Sequence, residues 1–374
     1  MTTQPGTETN LAWLRSRDGD RLRFSDVMTT GHDQSQTASA GPPQAAGHRA
    51  RGGCQKGHLL MLTVSVVICA HTEERWEVTL KAVASVQSQQ PAPHQIILVV
   101  DHNLKLQTRL AERLSDDVRV VPNDNERGLS GARNMGVALA TGDIVAFLDD
   151  DAVAHAGWLA GLTRSYADPD VIGVGGRAEP GWDVRRPAWW PGEFDWIVGC
   201  TYTGMERGVV RNMLGCNASF RRDLFAIGGF SSGIGRSASD RRPMGGEETE
   251  FCIRAAKARP GGVFVYDDQA VITHHVPLAR QSFSYFRSRC LAEGRSKAKV
   301  TESVGFRAGL ATERRYSSVT LPAGVLRGLR RGAHGDWAGL LSAGAIIVGL
   351  MYTTLGFGFG LLRQIARRRR GHRR

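Results

Sequence analysis

Between residues 63 and 148 the chain alternates short β-branched runs with segments of helical apolar spacing, and this alternation constrains the fold more than any other feature. A strand, a helix and another strand in succession bury their apolar faces best as a parallel pair with the helix crossing over the sheet. Residues 63–69 (TVSVVIC) are predicted as a first buried strand. A helix follows over 74–87, with Trp76, Leu80, Val83 and Val86 at helical spacing. Residues 95–100 (QIILVV) form a second strand, 104–114 a helix, 118–121 a short strand, 130–140 a helix and 144–148 (IVAFL) a further strand. The expected fold class is therefore α/β, with a largely parallel sheet flanked by helices.

The second half is less regular. Trp182, Trp189, Trp190 and Trp196 stand among prolines and glycines, followed by an apolar segment at 213–220, a helix after Glu247 and another near 282–298. Irregular, aromatic-bearing loops usually belong to a substrate face. A chain of 374 residues has room for one large domain, read as 61–300, plus extensions. Residues 1–60 are polar and lack an apolar run, so they read as a disordered N-terminal extension and not as a secretory signal. Residues 301–336 read as a basic helical linker.

Residues 337–362 carry no charge and are long enough to cross a bilayer. Arg327, Arg330 and Arg331 precede them, and a basic tail over 363–374 with seven arginines follows. With positive charge at both ends, a span and an interfacial or re-entrant helix both remain open. That tail holds more than half of the formal net charge of +12, so the basic balance signals membrane or solubility, with no nucleic-acid partner expected. Cys54, Cys69, Cys200, Cys216, Cys252 and Cys290 show no C-x-x-C spacing and read as reduced thiols.

Asp149, Asp150 and Asp151 directly follow the strand IVAFL, so three carboxylates emerge at a strand's carboxyl end, where open α/β sheets bind ligands. In an extended chain Asp149 and Asp151 point the same way, and hard oxygen ligands suit Mg²⁺ or Mn²⁺ bridging to a diphosphate. A solvated acidic turn or a helix cap is the plainer alternative for the same residues.

Around this triplet stand VSVVICAHTEER, ILVVDH, GLSGARNMGVALATGD, FLDDD and GGEETEFCIR, in that order over residues 64–272. The set resembles glycosyltransferase family 2, which implies a GT-A type nucleotide-binding sheet with an irregular acceptor half. A C-terminal hydrophobic helix would follow it. The resemblance implies that Thr72 and Glu74 touch the nucleotide and that Asp101 accepts the imide N–H of a uracil-like base. It places Arg133 beside the donor pyrophosphate or base, Asp149 and Asp150 at the donor with Asp150 on the ribose, and Asp151 on the metal.

Glu248 occupies the position of the family's catalytic Asp, with a longer arm, and either Glu248 or Glu247 is left as the base. A base is needed because an acceptor hydroxyl attacks better while a carboxylate takes its proton. Of the tandem His274 and His275 only one can face inward, and His274 is the choice for a further metal or diphosphate contact. Gly215, Asn217 and Arg221 resemble the family's acceptor-side framework.

The activity implied is metal-dependent, inverting transfer from a nucleotide-sugar, with UDP favoured, to a glycan or a polyprenyl- or lipid-linked acceptor at the cytoplasmic face of the membrane, in cell-envelope glycan assembly. The Q-x-x-R-W motif of processive relatives is absent, which implies one sugar per encounter. A nucleotidyltransferase would need a basic triphosphate loop that the sequence does not display. A non-catalytic, membrane-tethered sugar-binding protein would have no use for the intact acids.

Overall fold

The computed structural model describes residues 62–231, 246–304 and 315–371. The N-terminal extension, Gly245, residues 305–314 of the linker and the last three residues of the tail lie outside the described residues.

Strands β1 (Val64–Ala70), β2 (Gln95–Val100), β3 (Val118–Pro122) and β4 (Ile144–Asp149) are joined by helices α1 (Trp76–Gln87), α2 (Leu104–Arg113) and α3 (Leu129–Leu139). β1 pairs in parallel with both β2 and β4, and β2 pairs in parallel with β3. β1 and β2 are buried almost end to end, which explains why their sequences show apolar runs without alternation.

The remaining elements are β5 (Ala152–Ala154), α4 (Trp158–Arg164), β6 (Val171–Trp182), β7 (Gly208–Val210), β8 (Asn217–Arg221), α5 (Glu247–Ala258) and β9 (Val263–Val276). The strand order is β3-β2-β1-β4-β8-β6-β9-β5, with β7 paired to β9. β8 runs antiparallel to β4, so the sheet changes from parallel to mixed beside β4. This is an α/β arrangement flanked by helices, and the carboxyl ends of β1 and β4 fall where the chain order switches, the place at which open α/β sheets bind ligands.

β9 runs for 14 residues, although its sequence does not display a continuous strand pattern. The polar Asp267, Asp268 and Gln269 interrupt its apolar pattern, and the register against β6 jumps there, from Gly176 opposite Asp267 to Arg177 opposite Val271. An irregularity that lets extra residues bulge from the ladder hides a long strand from pattern reading.

Beneath β4 and β8 an aromatic cluster of Phe147, Phe220, Phe225, Phe230 and Phe251 fixes α5, with the Phe225 and Phe251 rings stacked at 4.9 Å. Among the described residues, three α-helices follow β9: α6 (Phe283–Val304), α7 (Leu321–Ala333) and α8 (Trp337–Gly371). α8 continues beyond residue 362 because arginine is a good helix former and no proline or glycine stands before Gly371 in that stretch.

Candidate active site

The carboxylates of the triplet part company at the end of β4. Asp149 stays partly exposed, whereas Asp150 and Asp151 are buried. Two buried like charges need compensation, and Arg75 supplies it. The Thr72 hydroxyl caps the short turn Glu73–Arg75 by accepting from the Glu74 N–H at 3.3 Å, and Arg75 at its end reaches Asp150 at 2.6 Å and Asp151 at 3.0 Å. Burial, with the neighbouring Asp151 and Asp149 charges, outweighs Arg75 and pushes the Asp150 carboxyl up to about 7. Glu74 itself is exposed.

β5 begins immediately after the triplet and pairs with β9, setting Ala152 opposite His274. The His275 N–H also donates to the Asp151 carbonyl at 2.8 Å. These ladder contacts turn His274 inward, its Nε2 3.2 Å from Asp151 Oδ1, while His275 points out to Asp183. Burial disfavours charge on both partners, yet the hydrogen bond between them prevails. His274 is pushed up to about 10, and Asp151 is held well below the usual carboxylate range by His274, Arg75 and Arg280.

Ligand atoms of Asp149, Asp151 and His274 all lie within 4.8 Å of one another. Two carboxylates and an imidazole so placed fit a divalent cation such as Mn²⁺ or Mg²⁺. The His274 proton that now faces Asp151 would have to leave for the cation to bind.

The other side of the site is built on Arg133, from the buried face of α3. Its Nη1 lies 2.8 Å from Glu248 and 3.6 Å from Glu247, and its Nη2 lies 3.3 Å from Asp149. The surrounding acids outweigh its burial and raise its pKa further, so it is a permanent cation. One guanidinium thus joins the α5 acids to the β4 acid, and it also lies over the Phe147 and Phe230 rings at 5.8 and 5.6 Å. Glu247 is buried, whereas Glu248 remains partly open to solvent.

Gly215 explains how the longer Glu arm is accommodated, since a Cβ there would stand 1.8 Å from Glu248 Oε1 and 2.7 Å from Arg133 Nη2. Gly215→Ala is therefore expected to displace Glu248 and lower kcat by about 10²-fold with little change in donor affinity, a misplacement effect that steady-state kinetics would reveal.

Asp101, at the end of β2, accepts from Asn123 Nδ2 at 2.7 Å and from the Gly128 N–H at 3.0 Å, so it ties β3 and the loop before α3 together. A carboxylate has further lone pairs to offer. Asn217 is a buried hub: it accepts from the Trp158 indole at 2.8 Å and donates to the carbonyls of Arg177 and Ala270 at 3.0 and 2.9 Å.

Thus Asp149, Asp150, Asp151, His274, Arg133, Glu247 and Glu248 form one cluster, while Asp101 and Thr72 flank it on the β2 and β1 ends. Sequence reasoning missed Arg75 as a site residue although it closes the quoted run AHTEER. Its signal is a cation one turn away from a strand end whose neighbour strand carries three acids.

The family described as Glycosyl transferase family 2 matches residues 65–228. The glucosyl-dolichyl phosphate glucuronosyltransferase of Haloferax volcanii is 36% identical over 242 residues, covering 63% of this chain and 76% of that protein. The succinoglycan biosynthesis protein ExoM of Rhizobium meliloti is 26% identical over 249 residues, 64% of this chain and 75% of its own length. Among solved structures, a mannosyltransferase from Pyrobaculum calidifontis in complex with GDP-Man and Mn²⁺ aligns with a TM-score of 0.47 at 18% identity, over 78% of this chain and 87% of that one. A relative matched over most of its length, together with ordered motifs that converge on one sheet edge, decides the matter: the chain belongs to glycosyltransferase family 2 and is a glycosyltransferase.

Proposed function

We propose that the protein transfers a sugar, with inversion, from a nucleotide-sugar to a hydroxyl of a lipid-linked acceptor, and that UDP is the preferred nucleotide. The observation that carries this reading is the pairing of an Asp149–Asp151–His274 cluster with a partly open Glu248 across a single Arg133. Bound there, Mg²⁺ or Mn²⁺ would stabilise negative charge on the departing diphosphate. Asp149, Asp151 and His274 would hold it, and Arg75 keeps Asp151 oriented.

Glu248 takes the proton of the acceptor hydroxyl as the oxygen attacks the anomeric carbon, and Arg133 fixes the carboxylate for that task. Buried Glu247 serves as a second counter-charge to Arg133. Asp101 is positioned to receive a base N–H with its spare lone pairs, Asp150 to receive a ribose hydroxyl, and Thr72 and Glu74 border the nucleotide. A glucosyl-dolichyl phosphate glucuronosyltransferase among the relatives supports a polyprenyl- or lipid-linked glycan as acceptor. The apolar C-terminal helix supports a place at a membrane, which we assign to the cytoplasmic face and to envelope assembly.

A screen of nucleotide-sugars by thermal denaturation tests the reading, because a ligand that binds only the native state raises its apparent stability. A UDP-sugar is expected to raise Tm in the presence of Mn²⁺ and to do so far less without it. If no nucleotide-sugar stabilises the protein in either condition, the donor assignment fails.

A further inference from the structure

The C-terminal helices form a surface that catalysis does not use. On α8, Trp337, Leu341, Ile347, Leu355, Phe359 and Leu362 are all exposed, Trp337 by 77%, Ile347 by 60% and Leu362 by 64%. At 100° per residue these positions share one stripe of the helix, whereas Ala343, Ile346, Gly349 and Gly356 are buried on the opposite side. α7 adds exposed Leu326 and Leu329, and it carries Arg330 together with Arg327 and Arg331, which pair with Glu193 and Asp336. Only 22% of the most apolar part of α8 is buried, so this is not the core helix of a soluble domain.

α6 lies abreast of α8 and runs in the same direction. Phe286 meets Gly349, Gly294 sits so close to Thr353 that a methyl group there would reach its carbonyl at 2.0 Å, and Gln364 Nε2 donates to the Ala298 carbonyl at 2.9 Å. This stretch of α6 carries Arg287, Arg289, Glu293, Arg295 and Lys297, and Arg287 rests over the Tyr352 ring at 5.7 Å. If α8 crossed a bilayer, those five ionic side chains would have to enter the hydrocarbon with it, which is strongly unfavourable. Residues 337–348, which precede the contact with α6, are too few to span about 30 Å at about 1.5 Å per residue.

We infer that α8, with α7 beside it, lies in the plane of an anionic membrane surface: its free apolar stripe enters the lipid, and both its ends stay on the side of the catalytic domain. Charge complementarity selects this occupant. The apolar stripe is flanked at one end by Arg330, whose neighbours Arg327 and Arg331 pair with Glu193 and Asp336, and at the other by Arg363, so each end carries a cation for anionic headgroups. The surface is fixed to the catalytic domain, since Arg327 pairs with Glu193, the Tyr316 hydroxyl donates to the Glu193 carbonyl at 2.7 Å, and the Trp196 indole donates to that hydroxyl at 2.8 Å. The inference rests on the proposed membrane placement and is independent of the donor and base assignments, which nucleotide-sugar binding tests separately.

The full chain, carrying an epitope after Arg374, would be examined in sealed inverted membrane vesicles, whose cytoplasmic face is outward. Added protease is expected to remove the epitope and digest the catalytic domain alike, without detergent. Purified protein is expected to float with vesicles of phosphatidylglycerol and phosphatidylcholine, poorly with phosphatidylcholine alone, and less at high salt. Ile347→Asp with Leu355→Asp should cut that flotation by about tenfold or more while leaving Tm unchanged, because both side chains already stand in the free stripe. An epitope protected until detergent is added would show a span and overturn the inference. So would absence of vesicle binding, with light scattering then reporting whether a second copy covers the stripe, or a marked fall in Tm for the double variant.

Discussion

Glu248→Gln is expected to lower kcat by about 10² to 10⁴-fold while leaving the donor KM within about twofold, the signature of an interaction made only in the transition state. Glutamine keeps the size of the side chain, and its amide oxygen can still accept from Arg133, whose Nη1 lies 2.8 Å from the present carboxylate. The proton of the acceptor hydroxyl then has nowhere to go. Arg133 keeps Asp149 and Glu247 as counter-charges, so the fold should survive and thermal denaturation should show it.

Glu247→Gln provides the contrast. Glu247 is buried behind the same guanidinium, and its loss should cost stability more than turnover. Single-turnover kinetics on both variants decide the matter. If Glu248→Gln transfers at the wild-type rate and Glu247→Gln does not, the base is the buried acid.

The parallel half of the sheet was legible in the sequence because β1, β2 and β4 are apolar runs separated by helices with regular apolar spacing, and such a pattern admits few arrangements. The acids of the site were legible for a related reason: the carboxyl end of a buried strand is where polar side chains can reach a ligand. What the sequence could not display is pairing between distant segments. His274 reaches Asp151 only because β5, three residues long, pairs with a β9 whose length is masked by a bulge.

Arg133 shows a different limit. Its place in the run GLSGARN marks it as part of the site, and the resemblance gives it to the donor, but only the packing of α3 reveals that it stands beneath three carboxylates. Asn134, beside it, both donates to and accepts from the backbone of Phe230 at 2.8 Å, an architectural task that no local pattern announces. Arg75 was hidden because a cation in a turn is ordinary until its partners are known.

Asp151→Asn is expected to reduce transfer by about 10³-fold, equivalent to the several kcal/mol that a metal contributes to a departing diphosphate, and to abolish the dependence of donor binding on Mn²⁺. Proton linkage makes the assignment of His274 separately testable. In the metal-free protein His274 is pushed up to about 10 by its hydrogen bond to Asp151, so it carries a proton at neutral pH. A cation needs the neutral imidazole and must expel that proton. Raising pH toward 10 removes the competitor, so apparent Mn²⁺ affinity should climb by up to about tenfold per pH unit between pH 6 and 8. Calorimetry in two buffers of different ionisation enthalpy should report release of about one proton per cation bound. In His274→Asn the affinity should drop and this steep rise should disappear. A wild-type affinity that is flat over the same range would remove His274 from the metal site and leave Asp149 and Asp151 to hold the cation alone.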